Sequence, residues 1–252
     1  MKLYDLSYMD LVNENKKRHS VVNMDGYNPI TGEGSLIPRI KIYKFRDEYC
    51  LFPAQMKNID LVMQIILSGS VEQYVINIKN IKKNTPKYFD EVEMVWYELL
   101  NHRLDEDFEF WAITGATIQD KRTKKPKKFR LNYPQMLLLK DLEEQRVAGL
   151  PIREILVKAR QWGGSTLIQI YMVWIQTRRK SSWHSAIIGQ VENQSKNIRA
   201  MLTRVAKHYP SDIGTITLRP YEQGKSRIIA ETESIINIGS AEKPDNLRSF
   251  DL

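Results

Sequence analysis

A glycine-rich turn near the middle of the chain has the residue types of a phosphate-binding loop. Residues 154–167 read EILVKARQWGGSTL, in which an apolar run predicted as a short strand leads into the turn at 163–166. The usual pattern is a glycine, four residues and then Gly-Lys-Ser/Thr, whose amides and lysine hold phosphates while the hydroxyl holds Mg²⁺. Here Lys158 occupies the first-glycine position and Gly164 the lysine position, so the cation lies at the other end of the loop.

These residue types predict a site for a triphosphate with Mg²⁺. The flexible stem of Lys158 can fold back over the loop, and Arg160 adds a guanidinium that can neutralise charge developing during phosphoryl transfer. Ser165 is the predicted Mg²⁺ ligand, and together with Thr166 it opens a helix whose N-terminal amides favour an anion. The amides of Gly163 and Gly164 complete the predicted phosphate site.

The elements around the loop are typical of an α/β domain. An almost entirely apolar helix follows at 167–175, then a strand within 184–189. The next helix carries Ile198, Met201, Leu202 and Val205 on one face. The alternative interpretation is purely structural: a strand, a glycine turn and a buried helix that bind no ligand. The order strand, loop, helix, strand, helix favours a nucleotide site instead.

A second segment places polar groups upstream of the loop. Asn132 can cap a helix over 133–145, with Pro134 in its first turn and Gln135 reaching back as in a capping box. The amide of Gln135 can also present a donor and an acceptor to an adenine edge, while Tyr133 stacks on the base. Both interpretations remain open at this stage.

Three ordered segments resemble the large subunit of tailed-phage DNA-packaging terminases. They are 129–135 (FRLNYPQ), 158–167 (KARQWGGSTL) and 239–250 (GSAEKPDNLRSF), and the resemblance covers roughly 107–252. It implies ATP and Mg²⁺ as ligands, a further nucleotide contact from Gln161, and a role in coupling or DNA contact for Arg248. Ser249 and Gly164 depart from the glycine and the lysine that many family members carry there.

The same resemblance implies partners and a cellular place. A terminase large subunit couples ATP hydrolysis to translocation of double-stranded DNA and works with a portal protein and a small terminase subunit. It is expected to act as a homo-oligomer on the capsid, in the host cytoplasm at the viral prohead and away from membranes. The family's acidic strand and nuclease domain would follow Leu252, so the sequence resembles the N-terminal part of a longer motor and is expected to bind nucleotide weakly, with little turnover.

The predicted fold is a P-loop NTPase domain of the ASCE type with a mainly parallel sheet, at residues 85–252 and incomplete at its C-terminal end. An α+β extension of unknown role precedes it at residues 1–84. A helix is predicted to begin at Thr85 with a core stripe formed by Phe89, Val92, Val95, Trp96, Leu99 and Leu100. Residues 228–238 are predicted as two antiparallel strands whose turn exposes Glu231 and Glu233, in preference to a catalytic carboxylate pair.

Charge and composition favour an anionic partner. The formal charge is +8 and the pI is about 9.4, while the single cysteine excludes an intramolecular disulfide. The densest basic run, 121–130, includes Lys124, Lys125, Lys127 and Lys128, and DNA contact, a localisation signal or a solvated hairpin tip each explain it. A helicase-like or repair ATPase and a non-catalytic DNA or capsid-interaction module are the alternative functions.

Overall fold

The computed structural model describes residues 25–120, 123–156, 162–221 and 226–242, together with residues 7, 9, 10, 12 and 13 near the start of the chain. Within these residues the protein is mixed α/β, with seven α-helices and eight strands in three sheets. Two groups of buried apolar side chains form its core, one mainly before residue 100 and the other mainly after it.

The first part consists of a β-hairpin followed by helices. Its elements are β1 (Arg39–Tyr43), β2 (Tyr49–Pro53), a 3₁₀ turn (Ala54–Asn58), α1 (Asp60–Ser68), α2 (Val71–Asn77) and α3 (Pro86–Glu106). Ser70 and Thr85 cap α2 and α3, because their hydroxyl oxygens accept hydrogen bonds from the first-turn amides of Gln73 and Tyr88. The predicted helix start at Thr85 is therefore confirmed.

Helix α3 packs most of its buried face into the first core. Its buried residues there are Tyr88, Val92, Val95, Trp96 and Leu99. The predicted stripe was wrong at Phe89, which is 52% exposed. At about 100° per residue, Tyr88 rather than Phe89 falls in line with Val92 and Val95. The domain boundary between 84 and 85 stays a prediction, and α3 shares its core with elements on the other side of that boundary.

The second part alternates helices and strands. Its elements are α4 (Phe108–Gly115), β3 (Thr117–Gln119), β4 (Pro126–Lys128), α5 (Tyr133–Val147), α6 (Gly164–Trp174), a π-helical turn (Ile175–Arg179), β5 (Ser185–Gly189), α7 (Glu192–Lys207), β6 (Leu218–Tyr221), β7 (Ser226–Ile229) and β8 (Ser234–Ser240). Helix α6 is buried through Leu167, Ile170 and Trp174, as the apolar sequence predicts. The strand predicted within 184–189 and the helix after it are confirmed as β5 and α7.

The largest sheet is mixed, which corrects the prediction of a mainly parallel sheet for the described residues. Its order is β5-β8-β7-β6, in which β5 and β8 are parallel while β8, β7 and β6 are antiparallel neighbours. The last three strands follow one another closely in sequence, and short connections can join only antiparallel strands. The parallel pair has α7 in its crossover, as parallel pairing requires.

The strand predicted before the glycine turn is not formed in its described part. Residues 154–156 are irregular, and Ile155 is 97% exposed. Apolar residues become a strand only when a neighbouring strand satisfies their backbone groups, and no strand among the described residues pairs with this segment. Lys158 lies outside the described residues.

A buried cluster of four charges lies where the two parts meet. Asp107 accepts hydrogen bonds from Arg39 at 2.6 Å and from Arg103 at 2.9 Å, and Arg39 also pairs with Glu109. Arg103 donates at 2.7 Å to the carbonyl of Ile30. Burial alone raises the pKa of Asp107, but attraction to the two guanidinium groups outweighs it and holds that pKa below its usual value. Asp107 therefore ties β1 to the junction of α3 and α4 as an ionised carboxylate, whereas burial raises the pKa of its neighbour Glu109.

Replacing Arg39 with methionine should destabilise the protein strongly. The Arg39→Met variant keeps the apolar stem but leaves Asp107 and Glu109 buried with one guanidinium fewer, and removing one partner of a buried pair costs about 3–5 kcal/mol. Urea unfolding measures the change in the free energy of unfolding. Lys57→Met, at an exposed position, is the control and should change it by less than about 0.5 kcal/mol. If Arg39→Met lowers the free energy of unfolding as little as Lys57→Met does, the cluster has no structural role.

Candidate functional site

The glycine turn ends in a helix whose first turn is not capped by any side chain in the described part of the chain. Helix α6 begins after Gly163, which has φ +90°, and no side chain of the described residues caps it. A β-carbon on Gly164 would lie 2.7 Å from the Trp162 ring. The first turn of α6 also contains no acidic residue. The turn therefore needs both glycines, and it leaves helix N–H groups able to bind an anion.

Two amide side chains from the upstream segment hold this turn. Gln135 donates from Nε2 to the carbonyl of Gly163 at 2.9 Å, and Asn132 donates from Nδ2 to the carbonyl of Trp162 at 3.0 Å. The same side chains form the capping box of α5, which confirms that prediction. The structure thus brings together two segments 28 residues apart, both of which the sequence places in one candidate site.

The amide of Gln135 is engaged at both ends. Its Oε1 accepts from the backbone N–H of Asn132 at 3.0 Å, its Nε2 holds Gly163, and the residue is only 3% exposed. The observed role is to position the glycine turn, and adenine selection by Gln135 stays a prediction. Tyr133 is partly exposed at the start of α5, and its stacking on a base also stays a prediction.

The start of α6 opens onto a cleft of about 570 Å³ between α6, β5 and α7. Gly164, Ser165 and Thr166 form one wall, and Ser165 is exposed. The opposite walls come from the end of β5, at 187–189, and from α7 between Gln194 and Met201. This volume lies within the range of small-ligand sites. The cleft can therefore hold a ligand whose anionic end meets the N-terminus of α6.

A polar residue that the sequence did not single out also lines this cleft. Gln169 lies on α6 one turn beyond Ser165, and its side-chain oxygen is buried without a hydrogen-bond partner among the described residues. Buried polar atoms are normally paired, so an unpaired amide oxygen beside a cleft is available to a donor group of a ligand or to water. Its sequence signal is a glutamine within an otherwise apolar helix.

Several predicted site residues lie outside the described part of the chain. They are Lys158, Arg160, Gln161 and Arg248, and their proposed roles stay predictions. Ser165 is well placed at the start of α6, but no group of three His, Cys, Asp or Glu side chains suited to a metal occurs among the described residues. Within the same ranges, no acidic side chain lines the cleft. The described site therefore has groups that bind anions but no carboxylate that can activate water.

The acidic turn between β7 and β8 has a structural role. Both oxygens of Glu231 accept a hydrogen bond from the backbone N–H of Thr217 at 2.9 Å. Burial alone raises the pKa of Glu231, but these hydrogen bonds help to hold that pKa below its usual value. Glu231 and Glu233 are both exposed. The prediction of two antiparallel strands with solvent-facing glutamates is confirmed.

The four predicted DNA-contacting lysines belong to the β3–β4 hairpin. Lys124 and Lys125 are exposed in its turn, whereas Lys127 pairs with Asp120 at 2.8 Å. Lys128 donates to the carbonyl of Thr114, and burial lowers the pKa of its ammonium. None of the four lines the cleft beside α6. The structure confirms that the described part of the basic run forms a hairpin, and DNA contact stays a prediction.

Alanine at Gly163 should cost more stability than alanine at another glycine of the same conformation. Gly163 and Gly69 both have φ +90°, where an L-residue costs about 1–2 kcal/mol, but only at Gly163 would the new β-carbon meet a neighbour, the Gln135 Nε2 at 2.6 Å. Displacing that buried amide should add about 1–3 kcal/mol. Urea unfolding of Gly163→Ala and Gly69→Ala measures the difference, and equal losses would contradict the tether.

A double-variant cycle separates the tether from the backbone strain. In a Gln135→Ala background the Gly163→Ala loss should shrink towards that of Gly69→Ala, because the clashing amide is gone. If Gly163→Ala lowers the free energy of unfolding equally in both backgrounds, its whole effect is backbone strain.

Comparison of the chain with protein-family models and with curated proteins found no match. The resemblance of three sequence segments to the terminase large subunit therefore stays a prediction. Among the described residues, no helix combines the length and apolar character needed to cross a membrane.

Proposed function

We propose that the chain is the ATP-binding part of a viral DNA-packaging motor, a terminase large subunit. The observation that carries this proposal is the tethered glycine turn. Gln135 and Asn132 hold Gly163 and Trp162 by hydrogen bonds. The turn directs the N-terminus of α6, which no described side chain caps, into a cleft of ligand size. A fixed, uncapped helix start beside an open cleft is the arrangement by which phosphate loops bind nucleotides.

In this proposal, the described residues supply part of the triphosphate site. The amides of the first turn of α6 and the helix dipole favour phosphate oxygens at the end of the cleft. The hydroxyl of Ser165 is exposed there and would hold Mg²⁺, which when bound neutralises phosphate charge. Lys158 and Arg160 would add the cations that the loop amides alone do not supply. Gln169 offers a further polar contact along the same wall.

Hydrolysis needs a carboxylate that orients the attacking water, and none of the described residues brings one to the cleft. The residues of the cleft would therefore bind and orient ATP, while water activation would come from the acidic strand that the resemblance implies. In the intact motor, hydrolysis would drive double-stranded DNA through the portal, with the small subunit and further copies of this chain assembled at the prohead.

A non-catalytic interaction module is the second candidate. It is favoured by one observation: the Gln135 amide is already engaged by the protein, so the described site has no demonstrated base-selecting group. In that case the glycine turn is a structural link between α5 and α6, and nucleotide is not a ligand. Binding measurements distinguish the two candidates.

Calorimetry should detect ATP binding that depends on the loop. With Mg²⁺ present we expect Lys158→Ala to weaken ATP affinity about tenfold or more, since a hydrogen bond to a charged group contributes about 1.5–3 kcal/mol. Ser165→Ala should weaken binding in the presence of Mg²⁺ but not in its absence, because its hydroxyl acts through the metal.

Lys180→Ala is the matched control, since it removes an exposed lysine outside the loop and should leave the affinity unchanged. Equal affinity in the wild type and in Lys158→Ala would refute the relocated cation. Absence of ATP binding by the wild type would favour the non-catalytic candidate.

A further inference from the structure

Helix α7 carries positive charge on the side opposite to its buried face. Its basic residues are Lys196, Arg199, Arg204 and Lys207, and Glu192 is its one acidic residue. At about 100° per residue the four basic positions fall within an arc of about 140°. The buried residues Leu202 and Val205 lie on the far side of the helix. The charge is therefore presented away from the core.

The one acidic residue of α7 offsets little of this charge. Glu192 lies 3.9 Å from the ammonium of Lys196, and both side chains are exposed to solvent. An exposed pair of this kind contributes about 0–1 kcal/mol, so a phosphate can compete with it for the lysine.

The basic side of α7 is continuous with the β3–β4 hairpin. Arg204 donates from Nη2 to the side-chain oxygen of Gln119 at 3.4 Å, and α7 packs against β3. Gln119 lies opposite Pro126, two residues before Lys128, and directly paired residues of a hairpin point to the same face. The exposed turn lysines Lys124 and Lys125 extend this surface beyond the strands.

The dimensions of this surface suit a chain of phosphates. Lys196 and Lys207 are eleven residues apart, so they are separated by about 16 Å along the helix axis. In duplex DNA each strand places a phosphate about every 3.4 Å of axis, so this length spans roughly five phosphates of one strand. Lysine and arginine on an exposed helix face contact such a backbone without reading its sequence.

We propose that the outer side of α7 and the β3–β4 hairpin form one surface that binds the backbone of double-stranded DNA. This inference rests on the proposed function only for the choice of DNA as the polyanion, and it extends the predicted hairpin contacts to α7. Lys127 has no part in it, because adjacent residues of a strand point to opposite faces and Lys127 is next to Lys128 in β4. The surface is separate from the phosphate loop, so DNA binding does not require nucleotide.

The salt dependence of DNA affinity tests this surface. Fluorescence anisotropy with a labelled duplex of random sequence gives the slope of log affinity against log salt. The size of this slope decreases by about 0.9 for each phosphate that the protein no longer neutralises. We expect Lys196→Ala/Lys207→Ala to reduce it by about two and Lys124→Ala/Lys125→Ala to do the same. The quadruple variant should reduce it by about four if both elements contact one duplex.

Lys82→Ala/Lys87→Ala is the matched control, since it also removes two exposed lysines but from the first part of the chain. Its slope should equal that of the wild type. An unchanged slope in the α7 variant, an equal decrease in the control, or no duplex binding by the wild type would each overturn the proposal. Tighter binding of single-stranded RNA than of the duplex would also overturn it.

ATP calorimetry on the same variants keeps this result separate from the nucleotide site. All four substitutions are exposed and lie outside the phosphate loop, so ATP affinity should not change. Loss of ATP binding in Lys158→Ala with a normal salt slope supports two separate sites. Absence of ATP binding by the wild type alongside the expected slopes would refute the nucleotide proposal and leave the DNA surface standing.

Discussion

The buried carboxylate of Asp107 holds the two parts of the structure together. It sits between the end of α3 and the start of α4, where it accepts from the backbone N–H of Phe110 and so caps α4. It also binds Arg103 from α3 and Arg39 from β1. One ionised group thus links the end of α3, the start of α4 and the hairpin. Its burial is tolerated because two guanidinium groups offset the cost of removing the charge from water.

The glycine turn is also held by side chains from another segment of the chain, but these side chains are neutral. Gly163 and Gly164 supply a backbone shape that side chains would prevent, but the shape is held by partners from another segment, Asn132 and Gln135. Because the same two side chains cap α5, the start of one helix and the start of the next are fixed by a single network. Loss of either side-chain amide therefore disturbs the starts of both α5 and α6. The position of the glycine turn is thus tied to that of α5.

The sequence predicts local features of this protein better than its long-range ones. Capping residues predict the helix starts at Thr85 and Asn132. Apolar spacing predicts the buried helix after the glycines and the turn at Glu231. Both signals depend on residues close together in sequence. The strand before the loop was predicted from the same kind of pattern and is not formed in its described part, because strand formation depends on a partner elsewhere in the chain. The bond from Gln135 to Gly163 was not predictable for the same reason. A capping box explains Asn132 and Gln135 without indicating that their remaining donors reach Trp162 and Gly163, which are 30 and 28 residues away.

Helix α7 links the candidate nucleotide site to the proposed DNA surface. Gln194, Asn197 and Ile198 line the cleft beside α6, while the lysines of the same helix face outwards. The helix is also anchored to the sheet, since Ser195 donates to the carbonyl of Gly239 on β8. The inner and outer sides of α7 are therefore two faces of one helix that is fixed to the sheet. Under the two proposals, any displacement of α7 on the cleft side would also move Lys196 and Lys207 on its outer side, which makes this helix the direct physical connection between the two sites.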